Sequence, residues 1–173
     1  MKSRKLAAVA LSAVLVIVML TSCSESSATP SASPSTGFGI NGYVLESGEI
    51  AYRGTADFEQ AGGFTISFVL STDKTKIHDI EVSLVDYELT IQNGTIVTTV
   101  SGSSTSSYPG EYEVNGGVID ADFGGYNHLS CTLTESGGSG EISYTYIYTD
   151  SNTSGFTPIP FGSSAVSFSA IEQ

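Results

Sequence analysis

The sequence predicts an all-β domain, an antiparallel β-sandwich with which a jelly-roll-like form is compatible. Three observations carry that expectation. First, apolar residues recur at a period of two from about Gly37 onward; Phe64, Ile66, Phe68 and Leu70 alternate with Thr65, Ser67 and Ser71. That is how a half-buried strand presents itself, because successive side chains point to opposite faces. Second, Asn93-Gly94 and Asn115-Gly116 separate such runs, and both residue types tolerate the positive φ that two-residue hairpin loops need. Third, no apolar pattern of helical period and length follows residue 37.

The chain divides into three parts by composition. Residues 1–22 open with Lys2, Arg4 and Lys5, followed by the apolar run Leu6–Leu20, which only Ser12 interrupts. Fifteen residues are too few to cross a hydrocarbon core, which takes about 20; the run fits the apolar core of a secretory signal. It closes on Leu20-Thr21-Ser22-Cys23. This resembles the lipobox of bacterial lipoproteins, an aliphatic residue, two small ones and a cysteine. The resemblance implies that the chain is cut before Cys23 and that Cys23 carries the lipid. Each buried CH₂ contributes about 0.8 kcal/mol, and two acyl chains suffice for stable anchoring. The implied location is extracytoplasmic, at the cell membrane or outer membrane. Ser24, where Asp would hold the protein at the inner membrane, favours the outer one in a host that has it. Residues 23–36 contain SESSATPSASPST, low-complexity Ser/Ala/Thr with Pro30 and Pro34, and read as a flexible tether. Residues 37–173 form the β-domain.

Within the domain, Ile50, Tyr52, Ala56 and Phe58 share one face of a first strand, with Gly54 read as a bulge. Phe64–Leu70 is the next strand. Ile80, Val82 and Leu84 then alternate with Asp79, Glu81 and Ser83, and Tyr87, Leu89 and Ile91 continue in the opposite parity. A bulge therefore belongs near Val85-Asp86. Ser101–Gly110 (SGSSTSSYPG) reads as a polar loop. Three more inward sets follow: Ile119, Ala121 and Phe123; Leu129, Cys131 and Leu133; Ile142, Tyr144, Tyr146 and Tyr148. Val166, Phe168 and Ala170 close the domain. The count is nine or ten strands. Phe64–Ile80 (FTISFVLSTDKTKIHDI) loosely resembles a pattern of uncharacterised bacterial cell-surface β-sandwich modules, a resemblance that implies no activity.

Charge narrows the partners. Once the basic start is removed, Arg53, Lys74 and Lys76 stand against 18 carboxylates, a net of −15. Such a field disfavours nucleic acid and anionic lipid surfaces. With Cys23 lipidated, Cys131 has no intramolecular partner, so the domain relies on its core rather than on a disulfide.

Candidate chemistry is sparse. Asp120 and Asp122 lie on one outward strand face, a spacing that suits paired glycosidase carboxylates, but any D-x-D strand has it; Glu111 and Glu113 stand likewise. His128 and Cys131 have a zinc-like spacing without a second pair, and Cys131 is in phase with the core. His78 is the remaining soft ligand. Tyr144, Tyr146 and Tyr148 form a stripe that is either core or a platform for stacking sugar rings. Asp150, Asn152 and Ser154, followed by Gly155, match the first half of a calcium loop, but position twelve is Phe161, so the bidentate Glu is missing. The expectation is a non-enzymatic, membrane-anchored envelope lipoprotein of binding or structural type. It has no required cofactor and at most a weak structural Ca²⁺, and its partner is an envelope protein or glycan. A carbohydrate-binding module using the Tyr stripe is the alternative, and a hydrolase stands behind it.

Overall fold

The computed structural model describes residues 42–93, 95–150 and 155–171. They belong to one compact unit, Thr36–Gln173. Cys23, the tether and the central residues of the Asp150–Ser154 loop lie outside the described residues.

The described residues form eight strands: β1 (Ile50–Ala56), β2 (Ala61–Leu70), β3 (Lys76–Asn93), β4 (Ile96–Asn115), β5 (Val118–Phe123), β6 (Asn127–Thr134), β7 (Gly137–Asp150) and β8 (Gly155–Ile171). Each pairs antiparallel with the next, and β1 pairs with β8 from Ala51↔Ile171 to Ala56↔Val166. The all-β antiparallel class is as the period-2 pattern predicts. The arrangement is a single closed up-and-down ring in place of two packed sheets. A sandwich and a barrel share the same alternation along each strand. What separates them is the pairing of first strand with last, which removes the two sheet edges.

The inward faces fill the ring. Tyr52, Phe68, Phe123, Tyr144, Ile66, Ile77 and Ile80 are all essentially inaccessible to solvent. Eight strands leave an interior just wide enough for side chains to fill, and aromatic pairs do so here: Tyr52 on Phe68 at 5.7 Å, Phe68 on Phe168 at 5.2 Å, Phe64 on Tyr144 at 5.2 Å. Phe58, just past β1, closes one end against Phe64 and Phe161. The outer faces carry Arg53, Thr55, Thr132, Ser139 and Glu141, all exposed. Apolar inside and polar outside is the inverse of a lipid-facing barrel.

Several local expectations change. Gly54 forms no bulge; its register runs unbroken from Tyr52↔Phe68 through Gly54↔Ile66 to Ala56↔Phe64. It is a close-approach glycine beneath the Phe168 ring. The predicted parity switch does occur, as a bulge between Leu84 and Tyr87 with Asp86 at φ 50°. Ser101–Gly110 is not a loop. It is the middle of β4, where Ser104 pairs with Leu84 and Ser106 with Val82. The small serines are there because tyrosines from β7 reach them: Ser106 hydrogen-bonds Tyr144 and Ser104 hydrogen-bonds Tyr146. The hairpin turns sit one residue later than read. Asn115 pairs with Val118, so Gly116-Gly117 is the loop, at φ 61° and 83°. Asn93 likewise pairs with Ile96. Gly-Gly supplies two positive φ values with no Cβ penalty, which leaves the asparagine in the ladder.

Residues 42–49 lie over the outside of the ring. Ala51 and Val69 point away from the interior yet are fully buried, with Tyr43, Leu45 and Ile171 packed on them. This strap brings Tyr43, Glu46 and Glu49 beside the start of β3.

Candidate functional site

The bulge at His78/Ile80 and the strap together build an open groove of about 470 Å³, lined by Tyr43, Glu49, Ser71, Lys76, His78 and Asp79 among others. The bulge leaves Asp79 at φ 51°, a conformation costing roughly 1–2 kcal/mol for a residue with a Cβ and tolerated best by Asn and Asp. It brings the Asp79 carboxylate to its neighbour, His78 Nδ1, at 2.7 Å. His78 Nε2 meets Glu49 Oε1 at 3.1 Å. Glu49 is a buried carboxylate. It accepts from the Tyr43 hydroxyl at 2.9 and 3.1 Å and from the Glu46 backbone N–H at 2.8 Å. The Tyr43 ring stands edge-on to the His78 ring, centroids 5.2 Å apart. Burial, and then the hydrogen bond to Glu49, push the Tyr43 phenol up to about 12.

This constellation is a clasp more than a catalytic set. Both ring nitrogens of His78 face carboxylates of the same chain. As an imidazolium it donates to both; as a neutral ring it has one N–H and can donate to only one. The nearby hydroxyl, Ser71 Oγ, donates to Asp73 Oδ1 at 2.7 Å and accepts from the Lys76 N–H, so it is not held by the imidazole. The hydrogen bond between Lys76 Nζ and Glu111 holds the lysine above and the carboxyl below their ordinary ranges.

A second histidine sits on the outer face of β5 and β6. His128 Nδ1 is 2.9 Å from Asp122 Oδ1 and its Nε2 3.2 Å from Asp120 Oδ1. The two aspartates are 87% and 75% exposed. The D-x-D pair therefore flanks an imidazole on an open convex strand face. Cys131 lies on the opposite face and is buried, which separates it from His128 and rules out the His-x-x-Cys ligand pair. Burial pushes its thiol up to about 12. Among the described residues no group of three or more His, Cys, Asp and Glu is arranged to hold a metal ion.

The tyrosines of β7 do not make an exposed row. Tyr144 is 2% exposed and lies in the core, with its hydroxyl 3.4 Å from that of Tyr108. Tyr146 is half-buried, its hydroxyl 3.2 Å from that of Tyr87. Burial, first of all, raises both phenols, Tyr146 to about 12. The Glu49–His78–Asp79 clasp is not legible in the sequence. Glu49 and His78 are 29 residues apart, and the one local signal was an acid following a histidine.

At the end of the ring opposite Phe58, near the Ser71–Lys76 turn, Tyr52 donates to the Thr134 carbonyl at 2.7 Å. The mouth beside it encloses only about 150 Å³, below the roughly 300–1,000 Å³ of ligand pockets. Fold and surface thus define a small, filled up-and-down β-barrel with a polar exterior. No protein-family model, curated protein or solved structure matches the chain.

Proposed function

We propose that this chain is a non-enzymatic envelope lipoprotein, anchored by lipid on Cys23, whose barrel acts through its outer surface as a binding or structural module. The observation that carries this reading is the filled interior: the ring is packed with aromatic and aliphatic side chains, and the mouth beside Tyr52 encloses only about 150 Å³. Both histidines are engaged by carboxylates of the same chain, which supports a structural use for them. The burial of Tyr144 weighs against the carbohydrate platform.

Two measurements test the reading. An environment-sensitive fatty-acid probe titrated against the purified chain should show no saturable binding; one-to-one uptake would make the barrel a carrier instead. Metabolic labelling with a fatty acid should mark the wild-type chain and not Cys23→Ala. Equal labelling of the two would remove the anchor from the account.

A further inference from the structure

Residues 42–49 fold on themselves before they meet the ring. Tyr43 and Leu45 are half-buried and pack on Ala51 and Val69, whereas Val44, Glu46, Ser47 and Gly48 are exposed. Thr72 Oγ1 donates to the Ser47 carbonyl at 3.3 Å. The hub of the strap is Glu49, whose side chain is 7% exposed. Of the three donors described above, the Tyr43 hydroxyl and the Glu46 N–H belong to the strap itself. His78 belongs to the ring. The contact between Glu49 and His78 therefore ties the folded strap to the wall.

Several charged groups share the groove with that contact. Tyr43, Glu46 and Glu49 come from the strap, Lys76 and Asp79 from β3, and Glu111 from β4. In the ladder His78 stands between Glu111 of β4 and the uncharged Val69 of β2. Lys76 is engaged by Glu111. Tyr43, its phenol pushed up to about 12 first of all by burial, keeps its proton throughout the neutral range. Imidazole is the group in this set whose ordinary charge change falls between pH 5 and 8.

Losing the proton alters the tie whichever nitrogen gives it up. The neutral ring keeps one N–H. With that N–H on Nδ1, toward Asp79 at 2.7 Å, the Nε2 lone pair faces the buried Glu49 carboxylate across 3.1 Å. With it on Nε2, the bond to Glu49 survives without the charge, and a charge-assisted hydrogen bond is roughly twice as strong as a neutral one.

We propose that His78 is a pH-operated latch: its imidazolium holds residues 42–49 on the barrel wall through Glu49, and loss of the proton lets the strap lift from Ala51 and Val69. By linkage, a strap that closes best on the charged ring closes less well as pH rises. On the anchored reading above, a lifted strap adds residues 42–49 to the tether, about 26–29 Å at full extension. That added reach depends on the lipid anchor; the latch does not.

The test is hydrogen exchange of the full chain at pH 5.5 and pH 8, read by mass spectrometry and corrected for the intrinsic pH dependence of exchange. The Glu46 N–H is bonded to Glu49 Oε2 and the Glu49 N–H to the Glu46 carbonyl, a turn that so short a segment does not hold once it lifts. Peptides covering these groups should lose protection several-fold between the two pH values, while β6 peptides keep theirs. In His78→Gln, which retains an N–H donor without the charge, strap protection should be low at both. His128→Gln, at the other histidine between two aspartates, should reproduce the wild-type fall. Equal strap protection of the wild-type chain at both pH values would overturn the latch, and that comparison needs no variant to fold. A fall shared equally by β6 would overturn it too, because the whole barrel would then be loosening. So would a fall of wild-type size in His78→Gln, which would assign the titration to another group.

Discussion

Gly54 and Phe168 share one space. A Cβ on Gly54 would lie 2.5 Å from Phe168 Cε1 and 2.9 Å from Val166 Cγ2, while the Phe168 ring itself packs on Phe68. The seam between β1 and β8 closes because Gly54 carries no side chain under that ring. Gly54→Val should therefore cost about 1–3 kcal/mol through overpacking. This reverses the usual gain from replacing a strand glycine. Urea denaturation of the two proteins measures it, and an unchanged midpoint would mean that Phe168 is not held over Gly54.

Asp86 tests the bulge in β3. It holds φ 50° with a Cβ, so Asp86→Gly should leave stability unchanged or raise it by up to about 1 kcal/mol. Asp86→Val should lower it by more than that gain. The same denaturation midpoints decide, and a loss in the glycine variant equal to that in the valine variant would contradict the left-handed geometry.

That bulge was legible in the sequence, because Ile80-Val82-Leu84 and Tyr87-Leu89 are inward sets of opposite parity and only an inserted residue reconciles them. The inward faces of β2, β5, β6 and β8 were legible for the same reason. Ser101–Gly110 was not, because Ser, Gly and Pro are turn formers by composition. They lie in a strand here because bulky tyrosines from β7 need small partners opposite. The start of β7 was missed likewise. A Cβ on Gly138 would lie 2.5 Å from the Thr132 carbonyl oxygen, and one on Gly140 would collide with the Ser130 carbonyl. Those glycines permit close strand approach and are not turn residues. Closure of the ring by β1 and β8, and the clasp of Glu49 on His78, depend on contacts far apart in sequence that no local period encodes.

The tyrosines set an alkaline limit. The Tyr146 phenol is raised from 10.0 to about 12, chiefly by burial, and Tyr52 and Tyr144 are raised for the same first reason. A native state that holds these protons more tightly than the unfolded chain has that stability below pH about 10 and loses it as pH climbs toward 12. Tyr146→Phe removes one such group. It should be less stable than wild type at pH 8, and the gap should narrow at pH 11. Urea midpoints at the two values check this, and a constant gap would contradict it.

Cys131 should behave as a core residue. With its thiol pushed up to about 12 by burial, it is protonated and inaccessible at pH 8, and thiolate is the reactive form. Alkylation by iodoacetamide should be slow in buffer and fast in denaturing urea, with the rate following the unfolded fraction. Rapid labelling of the folded protein, read by mass spectrometry of the Cys131 peptide, would place the residue outside the core.

Closure of the filled barrel rests on β1 meeting β8. Thr55 and Ser167 are cross-strand partners in that pairing, and both face solvent. In the Thr55→Cys/Ser167→Cys variant, mild oxidation should form an intramolecular disulfide in the folded chain. The bond should raise its stability by about 2–4 kcal/mol. The control is Thr55→Cys/Thr132→Cys, on strands that do not adjoin. The closed ring predicts cross-linking in the first variant and little in the control; equal, negligible cross-linking in both would show that the first and last strands are apart and that the barrel is open.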